Sequence, residues 1–367
     1  MTEIAGCREE RSMKKALKIV GIILCVVLLL AALGLLVLTL TEYKPADREA
    51  LRVEGGAAAR SLAPGAEMTV LSWNIGYGAL GDNADFFMDG GSMVRTADQN
   101  RVSENLLGIR NTITELQPDL CFLQEVDIDS DRSYHTDERA VLAPAMPGAS
   151  AVFANNYKAL YVPYPRPPIG HVDSGLVTMS LLSLSSAERV QLPCPFSWPM
   201  RLAQLKRCLL VSRIPLEGTD RELVAVNLHL EAYDDGSGKI AQTKMLADIL
   251  SAEAEKGNYV IAGGDFNQVL SGADPSWQTA RPGLWMPGVL DTGAFGEKLT
   301  AIMPDNGPTC RSLDRPLAGA DQTGFQFYLI DGFIVSRNVR VESLEAIDKG
   351  FACADHNPVQ LTVTLEP

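Results

Sequence analysis

From Ile19 to Leu40 the chain runs for 22 residues without a charge, rich in Leu, Val and Ile, and no other stretch constrains its folding as tightly. As a helix rising ~1.5 Å per residue, the run reaches roughly 33 Å, enough to cross the hydrocarbon core of a bilayer. A buried core helix of this length would carry a polar stripe, and the run has none. Arg8, Arg11, Lys14, Lys15 and Lys18 precede it, and Glu42 is the first charge beyond it. The positive-inside rule therefore places residues 1–18 in the cytoplasm, 19–40 across the cell membrane, and the bulk of the chain outside. A cleaved signal peptide would have a shorter apolar region ending in a small-x-small site. Thr39-Leu40-Thr41-Glu42 is a poor cleavage site, and no Cys follows the run as in a lipoprotein. The expectation is an uncleaved single-pass signal anchor, a Gly/Ala-rich tether over 41–66, and one outer domain over 67–367.

The whole chain carries a formal charge of −13; residues 1–41 hold five basic and three acidic residues, which leaves 27 basic and 42 acidic beyond, or −15. Such a surface repels nucleic acid unless a metal or a local basic groove reverses the sign. Cys7 and Cys25 precede or lie within the apolar run, leaving Cys121, Cys194, Cys208, Cys310 and Cys353 outside. An odd number without a CxxC string excludes a complete disulfide framework, and buried single thiols are the expectation.

Short β-rich apolar runs recur through the outer domain: 68–73, 120–124, 176–180, 208–214, 223–228, 259–262, 329–335 and 359–363. Two helices are expected between them. Residues 101–116 place Leu106, Ile109, Ile113 and Leu116 on one face, and 239–255 do the same with Ile240, Met245, Ile249 and Leu250. Pro118 and Gly257 end them. Many strands with few helices, and no internal repeat, predict an α/β fold of two sheets packed face to face with helices outside.

Gly76-Tyr77-Gly78-Ala79-Leu80-Gly81 matches a dinucleotide-binding string, but acidic loop residues follow instead of a helix. A surface loop is the expectation there. More telling are polar residues at the ends of apolar strands: Asn74, Glu125, His229, Asp265 with Asn267, and Asp355-His356 before the last strand. Strand ends converge at one edge of a sheet, so these distant residues are expected to share one site. Asn and carboxylate oxygens suit a hard cation such as Mg²⁺, with Mn²⁺ an alternative, and the absence of Cys from the set argues against Zn²⁺.

Leu-Ser-Trp-Asn-Ile-Gly, Gln-Pro-Asp-Leu-Cys-Phe-Leu-Gln-Glu-Val, Val-Asn-Leu-His-Leu, Gly-Gly-Asp-Phe-Asn, Ile-Asp-Gly-Phe and Ala-Asp-His-Asn-Pro-Val occur in this order between about Met68 and Val363. In these motifs the chain resembles the endonuclease/exonuclease/phosphatase superfamily, which includes deoxyribonuclease I-like nucleases, exonuclease III-like repair enzymes, bacterial sphingomyelinases and inositol polyphosphate phosphatases. The resemblance implies a four-layered α/β sandwich of two mixed sheets and a metal-dependent phosphoric ester hydrolase. By motif, Glu125 resembles the main Mg²⁺ ligand with Asn74 beside it. Asp265 resembles the residue that orients or deprotonates the attacking water, with Asn267 helping. His356 resembles the phosphate-contacting His, Asp355 its neighbouring metal-site or base carboxylate, and Asp331 the Asp that orients that His. His229 falls where many members place a second phosphate-binding His. One departure is Gly332, where the family usually has Tyr or His after the Asp.

Asn155-Asn156-Tyr157-Lys158 and His171 are weighed as substrate-side groups against plain loop packing, and His135 is read as surface. Lys206, Arg207, Arg311 and Arg315 are candidates for a modest phosphate patch. The anionic domain, the lack of a Lys/Arg run and the anchor favour a lipid head group or small phosphate ester over DNA or RNA, with a nuclease as the alternative. Phe196, Trp198, Trp277 and Trp285 are candidates for lipid contact. A catalytically silent binding module would lack site residues, and none of the core set is missing. No protein partner is inferable.

Overall fold

The computed structural model describes residues 2–275, 281–322 and 324–367, with the side chains of 2–10 and 12 left aside. Trp277 lies outside the described residues. A helix spans Thr2–Leu40, and within Met13–Leu40 an 18-residue window has a mean hydropathy of 3.2 and no buried residue. It is thus one helix long and apolar enough to span a membrane.

Among the described residues, two seven-stranded sheets make up the body. One runs Arg48–Leu51, Ser186–Gln191, Cys208–Pro215, Glu222–His229, Tyr259–Asp265, Asp331–Ser336, Leu299–Ile302. The other runs Val339–Ala346, Val359–Leu365, Glu67–Asn74, Leu120–Asp127, Gly170–Ser180, Ser150–Val162, Glu54–Gly55. Each sheet contains a single parallel pair, Glu222–His229 with Tyr259–Asp265 and Glu67–Asn74 with Leu120–Asp127. A parallel pair needs a crossover, and the helices Ser237–Glu255 and Gln99–Leu116 provide them.

The central strands read as unbroken apolar runs because both their faces are covered. Alternate residues Val70, Leu120, Phe122, Ala225, Ile261, Phe333 and Leu361 meet between the sheets. Leu71, Trp73, Cys121 and Leu123 face Leu106, Ile109 and Ile113 of the first crossover helix. Val224, Val226, Val260 and Ala262 face Leu246, Ala247 and Leu250 of the second. Helix, sheet, sheet, helix is the expected four-layered sandwich.

Three expectations change. The helix Ser237–Glu255 buries Gln242, Thr243, Leu246, Ala247 and Leu250, while Ile240 is 74% exposed. Gln242 takes an inward position because its amide serves loop backbone, accepting from the Glu231 N–H (2.9 Å) and donating to the Pro193 carbonyl (2.9 Å). The segment 41–66, read as a tether, adds an edge strand to each sheet through Arg48–Leu51 and Glu54–Gly55 and buries Leu62 in the inter-sheet core. Its small residues lie tight against the body: a Cβ on Gly55 would come within 2.6 Å of the Ala149 carbonyl oxygen. The glycine string after Asn74 is not a surface loop, since residues 76–80 are buried. It presents carbonyls rather than N–H groups, and buried Arg311 donates to those of Leu80, Gly81 and Ala84. The six described cysteines are all free.

Candidate active site

Both parallel pairs end at one edge of the sandwich, so their last residues lie side by side. Asn74 is in register with Gln124, and Asp265 lies between His229 on the parallel side and Asp331 on the antiparallel side. His356 arrives three residues ahead of Val359, whose strand lies beside the Asn74 strand. All eight residues expected at the site therefore gather at this edge.

Glu125 is presented by a bulge. The register with the neighbouring strand shifts between Leu123 and Val126, and Glu125 itself has φ of 55°. A left-handed backbone is costly for a non-glycine residue and aims the side chain out of the pleat, as bulges beside active sites do. Asn267 has φ of 50°, and its side-chain amide donates to the Leu230 carbonyl (2.9 Å).

The Asp265 carboxylate is the hub. Its Oδ2 accepts from the Asn74 amide (3.0 Å) and lies 3.4 Å from His229 Nε2 and 3.8 Å from His356 Nε2. Its Oδ1 accepts from the Asn267 backbone N–H (2.8 Å). The same Asn74 amide donates to Glu125 Oε1 (3.1 Å), while Asn74 Oδ1 accepts from the Gly76 N–H (3.1 Å). On its other side the His356 ring meets Asp331 Oδ2 through Nδ1 (2.8 Å).

Burial drives the protonation pattern. It pushes Asp265 up to about 7, with His356 opposing and Asp331 adding to the rise. Asp355 is likewise pushed up to about 7 by burial, against the pull of His356. Burial would lower His356, but the adjoining Asp331 carboxylate outweighs it and holds the ring well above its ordinary value. His229 lies 3.4 Å from Asp265, yet burial, then Arg207 and His356, take it well below. The two imidazoles thus sit in opposite charge states at neutral pH.

Four carboxylates, two of them pushed up to about 7 by burial, gather around one cationic imidazole. Buried Asp355 Oδ1, Asp331 Oδ1 and His229 Nδ1 have no hydrogen-bond partner. Ligand atoms of Asp265, Asp331 and His356, and of Cys310, Asp355 and His356, lie within 4.8 Å of one another. Orphaned oxygens in an oxygen-rich set fit a hard divalent cation. The Cys310 thiol is pushed up to about 12 by burial, which argues against thiolate ligation.

Several supports were not singled out in the sequence. Asn227 bridges the sheets, donating to the Leu123 and Val177 carbonyls and accepting from Gln124. Thr309 Oγ1 accepts from the Ile330 and Asp331 N–H groups, and Trp73 Nε1 donates to the His356 carbonyl. Period-2 alternation puts Asn227 on the same face as His229, a usable signal; Thr309 sits in an irregular loop and has none.

Other expectations dissolve. Asn155 and Lys158 both bind Asp173 and the Tyr157 hydroxyl donates to the Ala203 carbonyl, while the buried Asn156 Nδ2 has no partner. His171 and exposed His135 face Asp129 and Asp131 at the surface. The basic patch does not form: Lys206 pairs with Glu42, Arg207 with Glu231 and Arg315 with Asp314, while Arg311 is buried under the glycine turn. Trp285 packs on Tyr328, whereas Trp198 is half exposed.

A family model described as Endonuclease/Exonuclease/phosphatase family matches residues 71–347. Among solved structures, the chain is similar to an endonuclease/exonuclease/phosphatase from Beutenbergia cavernae DSM 12333, at 18% identity and a TM-score of 0.55 over 82% of this chain and 72% of that one. It is similar to ANGEL2, a 2′,3′-cyclic phosphatase, at 16% identity and a TM-score of 0.52 over 86% and 99%. A protein from Bacteroides vulgatus of the same description as the first aligns at 14% identity and a TM-score of 0.51 over 82% and 100%. At these identities the likeness is one of fold. No curated protein sequence matches the chain.

Proposed function

Since the chain belongs to the endonuclease/exonuclease/phosphatase family, whose members are phosphoester hydrolases, we propose that it is a membrane-anchored, extracytoplasmic, Mg²⁺-dependent phosphoesterase. Its substrate is a lipid head group or small phosphate ester, cleaved by in-line attack of water. The observation that carries this reading is Asp265 Oδ2 within 4 Å of the Asn74 amide and of both imidazoles, which stand in opposite charge states.

Asn74, Glu125 and Asp355 would hold the cation. When bound, it neutralises the substrate phosphate and polarises the phosphorus centre. Asp265, oriented by the Asn267 N–H, accepts the proton of the attacking water, and an ordinary value raised toward neutrality suits a general base. His356, kept cationic by Asp331, donates to a phosphoryl oxygen as negative charge builds there. His229, neutral and backed by Arg207 at its carbonyl, makes a second phosphate contact. Lys14, Lys15 and Lys18 before the apolar helix and Glu42 after it support the outward orientation.

The test is turnover by the full chain in phospholipid nanodiscs against sphingomyelin, phosphoinositides, a bis-aryl phosphodiester and plasmid DNA, with and without Mg²⁺. Metal-dependent cleavage of a lipid or small ester, abolished in Asp265→Ala and His356→Ala, is expected. Cleavage of DNA alone would replace the substrate assignment with the nuclease reading. Silence on every substrate from folded protein that binds no metal would mean a binding module.

A further inference from the structure

The helix that precedes the domain does not end in a free linker. Within its last turn, Thr39 Oγ1 accepts from the Trp198 indole N–H (3.1 Å). Two residues past the helix, Glu42 has a side chain only 4% exposed and pairs with Arg201 Nε at 3.0 Å and Lys206 Nζ at 3.3 Å. Lys206 Nζ in turn donates to the Arg201 carbonyl (2.7 Å), and the Arg189 guanidinium lies over the Tyr43 ring. The loop that receives the helix, residues 192–207, is therefore fastened to the helix end itself.

That loop stands at the active-site edge. It leads into Cys208–Pro215, where Leu209 is opposite Leu228, and Arg207 donates to the His229 carbonyl (3.2 Å). Beside it lies the hairpin turn between Ser150–Val162 and Gly170–Ser180: Val162 and Ile169 pack with Ala203 and Leu205. Tyr164 at this turn meets Phe87, from the segment that follows Asn74, with ring centroids 5.8 Å apart. Strand-end loops from both sheets thus form one rim, joined to the helix.

Where it meets solvent the rim carries large apolar side chains, with exposed Arg166 beside them at the hairpin turn. Tyr164 is 69% exposed, Met200 62% and Trp198 48%, with Leu160 and Tyr161 exposed beside them. If Lys18 marks one boundary of the membrane, Thr39 lies ~32 Å along the helix, at the opposite boundary of a ~30 Å hydrocarbon core. The indole bonded to Thr39 then sits in the interfacial layer, where Trp and Tyr are enriched because one end of the ring is apolar and the other polar.

We propose that the rim Leu160, Tyr161, Tyr164, Trp198 and Met200 docks on the outer surface of the bilayer that holds the chain's own helix, so that the active-site mouth opens toward lipid head groups. This rests on the reading of residues 19–40 as membrane-spanning. The Thr39–Trp198 and Glu42–Arg201–Lys206 contacts replace a swivel with a fixed joint. The occupant is a bilayer because the rim adjoins the spanning helix and the contact is apolar, the rim's Arg201 and Lys206 being already committed to Glu42.

The experiment uses the full chain in phosphatidylcholine nanodiscs whose acyl chains are brominated near the head group, and reads tryptophan quenching. Carbonate extraction of proteoliposomes tests the spanning helix separately. Wild type should lose the emission of one of its four tryptophans, and Trp198→Phe should abolish that loss. Tyr164→Trp in the Trp198→Phe background should restore it, since a merely anchored Trp198 would not carry the far side of the rim to the lipid. A carbonate-resistant helix, with the indole introduced at position 164 unquenched by lipid and quenched by aqueous iodide, overturns the docking while leaving the anchor intact. Extraction of the chain by carbonate overturns the anchor and the docking with it.

Discussion

Replacing Asn227 by Leu tests how the sandwich presents Glu125. Asn227 is fully buried on the Glu222–His229 strand and reaches across to the other sheet. Its Nδ2 donates to the Val177 carbonyl (2.8 Å) and the Leu123 carbonyl (3.1 Å), and its Oδ1 accepts from Gln124 Nε2 (2.8 Å). Leu123 and Val177 face each other where the ladder breaks to form the Glu125 bulge. Leucine would strand both carbonyls away from water at about 1–3 kcal/mol each, partly offset by about 1 kcal/mol of extra apolar burial. Gln124 retains the Ser72 hydroxyl and the Phe122 carbonyl as partners, each at 3.3 Å, and adds little to the loss. The net cost is about 1–5 kcal/mol; with ~2.1 cal/mol/K of unfolding entropy per residue over a domain of about 320 residues, the thermal midpoint should fall by roughly 1.5–7 °C. Near-UV circular dichroism of the full chain in detergent reads this, and turnover should fall too as the bulge relaxes. A midpoint within about 1 °C of wild type with unchanged turnover would show that the bulge holds itself, and would refute the argument.

Three further outcomes follow from local geometry. Gly264 has φ of +150° and a Cβ there would come within 1.9 Å of the Leu228 carbonyl oxygen, so Gly264→Ala should cost more than about 4 kcal/mol and yield little folded protein; a normal midpoint would refute it. Asp331→Asn should lower turnover roughly 10²-fold at unchanged thermal midpoint, because His356 loses the carboxylate that keeps it cationic, and wild-type turnover would refute that role. Burial alone would raise Glu253, but hydrogen bonds from Arg213, Lys256 and Asn258 push it down to about 2. A depressed carboxylate stabilises the fold above its unfolded value near 4.5 and loses that contribution as pH falls toward 2, so the midpoint gap between wild type and Arg213→Met should be widest at pH 7 and shrink across that window; a constant gap would contradict the linkage.

Much of the core was legible because central strands covered on both faces carry continuous apolar runs. All eight expected strands occur, with bounds shifted by up to six residues where polar ends such as Asp127 or His229 complete the ladder. Ser150–Val162 and Val339–Ala346 were not legible: the first, covered at its outer side only by Glu54–Gly55, alternates buried and half-buried residues, and the second is an edge strand exposed over 340–343. The site residues were visible as polar ends on apolar strands, the one place where such groups meet at a shared edge.

By itself the sequence determined the spanning-length helix, the layered α/β class and the identities of the eight polar strand ends, since each follows from local pattern or motif. Only the tertiary structure decided that His229 and His356 differ in charge state, because that difference comes from Asp331, 25 residues from His356 in sequence and 2.8 Å away in space. Tertiary structure also turned the expected tether into edge strands and drew Lys206, Arg207, Arg311 and Arg315 out of a common patch into separate pairings and burial. Pairing is a property of neighbours, and neighbours brought together by chain reversal leave no periodicity in the sequence for a reader to find.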